Sequence, residues 1–380
     1  MVAPARIISA KLAPINVPSH LHLSIEIKRL AEEAGFDLFG VAGVGDTPEH
    51  HVFPQWIADG HAGDMKYLEA RNEAGDLKRA SLANAAPWAR SVVVCALNYN
   101  ADQPYSTHAG TTSQGWISRY AWTQSDYHEV LLAKLRNLES SFVAFCEQNG
   151  IATPRTWCYV DTGPVIERIF AKYAGIGWIG KNTCILNEKW GSWLFLGVML
   201  TSLELAPDLP PPDRCGSCNR CLDACPTNAF PAPYQLDVTK CISYLTIEKR
   251  GAVPEELRDG IGRQVFGCDI CQDVCPWNRK APFTKTPEFE ARPELVNPDL
   301  AWLARLSLEE FREVFRGTPV KRTKHAGLLR NVAIAMGNSG KASFLTTLED
   351  LSHHDDPAVA ESADWALRKI RSRTDSSPDD

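Results

Sequence analysis

The chain has 380 residues, 44% hydrophobic and 23% charged, with a formal net charge of −6. That length buries substantial cores and predicts two or three domains of a soluble globular protein, and the net charge does not advertise a polyanionic partner. No stretch approaches the ~18 apolar residues of a membrane span. In the first 23 residues there is neither an unbroken apolar core nor a twin arginine, so a cytoplasmic location is expected.

From the N-terminus to about residue 205, helical segments alternate with short β-rich runs such as Ser91-Val-Val-Val-Cys95, the pattern of an α/β domain that would hold the active site. Asp126-Tyr127-His128 reads as a helix start. Asp161-Thr-Gly-Pro164 precedes a predicted helix over Val165 to Tyr173. A structural Asp161 would be its N-cap, with Pro164 in the first turn; a catalytic acid is the alternative. Gly175-Ile-Gly177-Trp-Ile-Gly180-Lys181 fits a dinucleotide fingerprint and, up to its last residue, a phosphate loop. Both are rejected: the glycines follow a helix instead of a strand, and Asn182 stands where a phosphate loop needs Ser or Thr. A helix C-terminal turn explains them, with Lys181 beside it and backbone N–H groups free for an anionic or amide-rich cofactor.

The proline-rich segment 206–213 can continue neither a helix nor a central strand and reads as a linker. Beyond it, eight of the twelve cysteines fall into two runs. One is Cys215-x2-Cys218-x2-Cys221-x3-Cys225-Pro226. The other is Cys241 followed by Cys268-x2-Cys271-x3-Cys275-Pro276. This is the spacing of a pair of [4Fe-4S] clusters, in which the last cysteine of each run crosses over. Cys215, Cys218, Cys221 and Cys275 are therefore assigned to one cluster, and Cys225, Cys241, Cys268 and Cys271 to the other. Zinc knuckles or disulfides are the structural alternatives, but zinc sites close on four ligands and lack the crossover prolines. Thiolate clusters imply a reducing compartment. Cys95, Cys146, Cys158 and Cys184 read as small buried residues without chemistry.

From about Asn297 the pattern turns helical, through Leu300, Leu303, Leu306 and Leu308, then Leu328 to Met336, Phe344 to Leu351 and Val359 to Ile370. Such paired helices are HEAT-like, too few for a solenoid to follow from periodicity alone. Within them, Arg316 to Arg330 contains Arg316, Lys321, Arg322, Lys324 and Arg330 without an acid. A solvated basic face is the bland reading and a phosphate contact the sharp one. The acidic end 372–380 is expected to be disordered.

Taken together, Ser118-Arg-Tyr-Ala, Asp126-Tyr-His, Val160-Asp-Thr-Gly-Pro, Ala174-Gly-Ile-Gly-Trp-Ile-Gly-Lys-Asn182, the double cysteine run, Cys241-Ile-Ser-Tyr-Leu-Thr-Ile-Glu248 and Cys275-Pro-Trp-Asn278 resemble the epoxyqueuosine reductases over about residues 25 to 370. The resemblance implies an α+β protein. Its parts would be an α/β cobalamin-binding catalytic domain over 1–205, a ferredoxin-like two-cluster domain over 206–285, a HEAT-like helical domain over 286–371 and a disordered tail over 372–380. It implies reduction of an epoxide on the wobble base of tRNA to the cyclopentene, the oxygen leaving as water, with Asp161 as proton donor. A raised carboxyl pKa in a low-dielectric pocket would suit that role. For cobalamin it points to Arg71, Ser118, Arg119, Tyr127, His128, Gly180, Lys181 and Asn182, with Asp273 and Val274 at the corrin edge. For tRNA, Glu248, Lys249, Arg250, Lys321, Arg322, Lys324 and Arg330 are the candidates. An unidentified low-potential electron donor, a monomer and no membrane complete the expectation. Ala121-Trp-Thr-Gln-Ser-Asp126 departs from the family pattern, lacking a glycine and holding one extra residue. A corrinoid reductive dehalogenase and a bare electron-transfer module are the competing classes. The first is disfavoured by the basic helical end, and the second leaves some 200 N-terminal residues unexplained.

Overall fold

A computed structural model describes residues 19–108 and 110–374. The N-terminal leader and most of the acidic tail lie outside the described residues, while the last helix runs as Pro357–Thr374, past the expected domain end at 371. No helix among the described residues is long and apolar enough to cross a membrane.

The N-terminal half is built on four strands in the order Leu38–Ala42, Ser91–Asn98, Leu194–Thr201, Thr156–Tyr159. Every pairing is antiparallel, with Cys95 between Phe39 and Gly197. The expected α/β reading is corrected here to an antiparallel sheet: alternation of helix and strand along the chain does not dictate parallel pairing when connections double back. Ser91–Asn98 is buried along its whole length. Its Val93, Cys95 and Leu97 enter a core with Leu23, Ile27, Leu30 and Ala31 of the helix Ser19–Glu33 and Leu131, Leu135, Leu138 and Phe142 of Tyr127–Gln148. Val92, Val94 and Ala96 enter the opposite core with Phe170 and Ala171 of the helix Glu167–Tyr173. Burial on both faces explains an unbroken β-branched run where a half-exposed strand would alternate.

Segment 206–213 forms no element but is held against the sheet edge. Asp208 accepts from Val41 N at 2.9 Å, its own N–H donates to Val41 O at 2.8 Å, and Lys28 pairs with it. The cysteine region that follows is turns and short helices: Arg220–Asp223 carries Cys221, Ile270–Asp273 carries Cys271, and Ile242–Ile247 and Glu255–Ile261 lie between them. The helical region comprises Leu300–Arg305, Leu308–Val314, Lys324–Ser339, Leu345–Ser352 and Pro357–Thr374. Ser307 and Glu310 form a capping box on the second of these, and Gly340, at φ 70, ends the third in the left-handed conformation.

One core crosses the boundaries read from the sequence. Trp116, Ile117 and Trp122 pack with Leu245, Phe266, Leu303, Val332 and Ala363, and Trp116–Ile117 pairs in parallel with Gln264–Phe266. The segment without the family's glycine is comfortable: Arg119–Ala121 is a 3-10 turn, Trp122 is buried edge-to-face on Trp116, and no residue from 119 to 126 has positive φ.

Candidate active site

Asp161 follows the strand Thr156–Tyr159 in a loop, at φ 60. The helix beyond it begins at Glu167 with Ile166 as its N-cap, so Asp161 caps nothing. A non-glycine residue in the left-handed region costs ~1 kcal/mol or more and persists only where its surroundings hold it. Two groups hold this one, both on Oδ2: Tyr127 Oη donates at 2.7 Å, and His128 Nε2 stands 3.8 Å away. The Asp161 side chain is 58% exposed, so its carboxylate opens on solvent. Burial pushes its pKa up, but the bonds from His128 and Tyr127 and the charges of His128 and Arg168 outweigh it and leave the carboxyl below the usual range. The raised pKa expected from the sequence is therefore corrected: in this chain the acid rests ionised.

Tyr127 and His128 are delivered by the first turn of Tyr127–Gln148, whose N-cap is Asp126, as the sequence predicted for a helix start. Asp126 accepts from His128 N and meets His128 Nδ1 at 2.7 Å. Its other oxygen takes Lys321 Nζ, from the helical region, at 3.2 Å. Burial raises the Asp126 pKa, and the bonds from His128 and Lys321 bring it down to about 2. Burial lowers His128, yet its bonds to Asp126 and Asp161 lift it to about 9, so the imidazole is charged at neutral pH. Around the same carboxylate, the Tyr67 ring lies under the Arg79 and Arg322 guanidinium groups, each 5.7 Å from its centroid, and Arg322 pairs with Glu248. Sequence reasoning missed Tyr67, Arg79 and Glu167. Glu167 is lifted to about 7, by burial first and then by the charge of Asp161; its Oε1 is buried without a partner. Only a buried acid opening a helix so close after Asp161 could have signalled it.

The structure brings the cysteines of the two runs together in two places. Cys215, Cys218, Cys221 and Cys275 all line one cavity of about 240 Å³, with Lys181 and Trp277. Burial and the neighbouring Cys215 push the Cys221 thiol up to about 11, and Cys275 is raised in turn by burial, Cys221 and Cys215. Cys268 is raised by burial, then by Cys241 and Cys225. Thiols that crowd one another this way become thiolates on a bound metal centre, and their spacing is that of iron–sulfur clusters. Among the described residues no three His, Cys, Asp or Glu gather closely enough to hold a single metal ion. The Trp178 indole N–H finds no oxygen or nitrogen partner; burial raises the Cys215 thiol pKa, and the Lys181 N–H and the Trp178 indole offset it only in part. Cys184, read as inert, proves to lie against Cys271, whose thiol lowers its pKa while Cys184 raises that of Cys271.

Gly175, at φ 76, closes the helix Glu167–Tyr173, and Trp178–Ile179 turns back on Ile185–Leu186, confirming a helix C-terminal turn over a phosphate loop. The end of that turn braces both cluster loops. Lys181 Nζ donates to Gly216 O and Asn219 Oδ1, both at 2.8 Å, and Asn182 donates to Cys271 O at 3.3 Å. A Cβ on Gly180 would meet Leu186 Cδ1 at 2.6 Å and Asn182 Oδ1 at 2.9 Å, so a larger residue there would have to displace both side chains. Ser118 is buried with its hydroxyl on Asp269. Arg119, 1% exposed, donates to the carbonyls of Ala101, Gln103 and Pro104 between the faces of Tyr105, Trp122 and Trp193. Arg71 lies apart on an exposed turn, bonded to Gly75 O. Asp273 receives Ser106 N and Oγ on one oxygen, while the other is buried without a partner on the wall of a cavity of about 670 Å³ that Val274, Arg220 and Arg279 also line. Size and an orphaned acceptor fit a large amide-bearing cofactor edge.

Of the expected RNA-facing residues, Arg250, Lys321, Arg322 and Lys324 are exposed. Lys249 pairs with Asp64 at 3.0 Å. Arg330 is corrected: it is 2% exposed and donates to the carbonyls of Lys249, Gly251 and Leu245, out of reach of any phosphate.

Two groups of four cysteines in one chain with an exposed aspartate–histidine pair are the marks of an iron–sulfur redox enzyme. Residues 214–278 match the family model for the 4Fe-4S double cluster binding domain, and residues 79–162 match that of epoxyqueuosine reductase QueG. The epoxyqueuosine reductase of Pseudomonas aeruginosa is 39% identical over 362 residues, 93% of this chain and 96% of its own length. That of Xanthomonas campestris pv. campestris is 37% identical over 355 residues, covering 92% and 97%. Among solved structures, an epoxyqueuosine reductase with an epoxyqueuosine-modified tRNA-Tyr stem loop superposes with a TM-score of 0.79 at 33% identity, covering 94% and 95%. The Bacillus subtilis enzyme, solved with its catalytic aspartate loop swung out of the active site, gives 0.78 at 34%, covering 92% and 90%. The chain belongs to the epoxyqueuosine reductase family.

Proposed function

We propose that this chain reduces epoxyqueuosine to queuosine at the wobble position of tRNA, with Asp161 delivering the proton to the epoxide oxygen. The observation that carries the assignment is the Asp161 carboxylate itself, exposed where a concavity would receive the base, yet held on one oxygen by Tyr127 and His128 in a strained loop. A catalytic aspartate loop is named for the Bacillus subtilis relative, and a modified stem loop is bound to another. An anticodon-loop base is already unpaired, so it can enter such a concavity without melting a duplex.

The protein's own work is positional and electrostatic. Tyr127 and His128 orient the acid. Arg322, set by Glu248, holds the Tyr67 ring across the concavity and puts positive charge where the RNA backbone would pass. Lys181 and Asn182 hold the two cluster loops in register. Cobalamin fits the arrangement of an open concavity, an orphaned Asp273 oxygen and its large cavity; Tyr127 and His128 would meet it near the acid, and Asp273 and Val274 at its edge. When bound, such a corrin supplies a low-potential centre that can receive electrons one at a time and act on carbon. Ser118, Arg119 and Asn182 are buried and would shape the walls.

The test is single-turnover reaction of epoxyqueuosine-containing tRNA with anaerobically reconstituted protein and a low-potential reductant, read as nucleosides by mass spectrometry. Conversion that requires both clusters and added cobalamin is expected. No conversion by fully loaded protein would overturn the assignment.

A further inference from the structure

We propose that His128 is the proton store of the reaction, reloading Asp161 so that one carboxylate can deliver both protons the chemistry consumes. The inference rests on the epoxide reading above and adds the source of the protons.

Opening an epoxide to an alkene breaks both C–O bonds, takes up two electrons and releases the oxygen as water. That oxygen must gain two protons: one as the first C–O bond opens, one as the hydroxyl departs. The clusters account for the electrons. Asp161 can hold one proton at most, and its two donors leave it holding none at rest. What the resting site does hold is an imidazolium, with Nε2 3.8 Å from Asp161 Oδ2 and Nδ1 fixed at 2.7 Å on Asp126. A closure of about an ångström, or one intervening water, completes the transfer path. The His128 side chain is 30% exposed, so it can recharge from solvent between the two deliveries.

The other charged groups facing this pair assign it the role. Asp126 is held to about 2 by His128 and Lys321, so it orients the ring without taking its proton. Tyr127 bonds Asp161, but its hydroxyl pKa is pushed far up, first by burial and then by Asp161, and it does not give its proton away. Tyr120 is likewise raised by burial. Glu167, lifted to about 7, is the remaining titratable neighbour of Asp161, yet the structure shows no hydrogen bond between them. Arg168 and Arg322 bear on Asp161 and Tyr67 as fixed positive charges. The bland alternative is that His128 only packs, its ring stacked 4.0 Å from that of Tyr127.

Two measurements on the cluster-loaded protein separate these roles. The first is the pH profile of single-turnover conversion. In wild type the rate should hold until His128 loses its proton, near pH 9, and fall above it. In His128→Gln the alkaline limb should move down by more than one pH unit, because Asp161 must then bind its own proton, and the rate at pH 8 should drop at least tenfold. Glu167→Gln should leave the limb in place. A His128→Gln variant that is uniformly slower with its limb still near pH 9 would reduce His128 to packing and overturn the proposal. The second is histidine-selective ¹⁵N NMR without substrate, in which His128 should titrate near 9 and shift toward 6.5 in Asp126→Asn. Titration below neutrality in wild type would overturn it whatever the substrate. If His128 titrates near 9 but no tRNA is converted by fully loaded protein, the charged His128–Asp126 pair stands while the epoxide reading, and with it the store's role, is overturned.

Discussion

At the scale of residues, the site is an arrangement of charges built from parts distant in sequence. Asp161 sits 34 residues from Tyr127, and Lys321 comes to Asp126 across 195. Tyr127→Phe removes a donor from Asp161 without altering volume. The carboxyl pKa should rise and conversion should fall about tenfold, within the range for a positioning group in acid catalysis; single-turnover rates against pH check it. The same charges enter stability. His128 is raised from 6.5 to about 9 on folding, so its contribution is fully present below pH 6.5 and is lost as pH climbs through 9. The urea midpoint should therefore decline across that window, and Asp126→Asn should flatten the decline; an unchanged slope would remove His128 from the ion pair. The eight cluster cysteines were legible because their spacing is itself the chemistry. Asp161 was legible as a candidate acid, but its lowered pKa was not, since the donors that set it reach it only through the fold.

Elements explain where sequence patterns misdirect. A basic run gave no sign that Arg330 turns inward while Lys324, six residues earlier on the same helix, stays outside. Tertiary packing decides it: the helix is buried all round from Leu328 to Gly337, so the side opposite Leu328, Val332 and Ala335 is inside as well, and there Arg330 reaches three carbonyls of the Leu245–Gly251 stretch. Arg330→Met leaves those carbonyls without donors, which costs on the order of 3 kcal/mol. Thermal unfolding should shift down by several degrees, and the salt dependence of tRNA binding should stay as it was. An Arg330 variant with native stability and weakened RNA binding would reverse the assignment. The glycine turn before Lys181 shows the opposite case. Its order after a helix ruled out a phosphate loop from sequence, yet its role as a brace between two cluster loops depends on tertiary contacts with Gly216, Asn219 and Cys271.

For the whole molecule, compositional boundaries and packing boundaries differ. The linker 206–213 and the change of pattern near Asn297 were visible, but Trp116 and Trp122 of the first region share a core with the cluster region and the C-terminal helices. The antiparallel order of the sheet was hidden because periodicity reports burial, and a strand buried on both faces reads the same in either direction. One consequence is that two cations of the basic run are tied back to other regions of the chain, Lys321 to Asp126 and Arg322 to Glu248. Lys324→Gln, at an exposed cation outside those pairs, should weaken tRNA binding and lower the slope of log K against log salt by ~1. Retention of wild-type affinity across salt would take Lys324 off the RNA path.

The central claim, that Asp161 is the acid of an epoxide reduction on tRNA, meets its most direct test in Asp161→Asn beside wild type, both with clusters and cobalamin verified by absorbance and EPR. In a single turnover on epoxyqueuosine-containing tRNA, the variant should bind substrate and accept electrons yet convert at least ~100-fold more slowly. Undiminished conversion by Asp161→Asn would contradict the account and leave the carboxylate a purely structural member of the site.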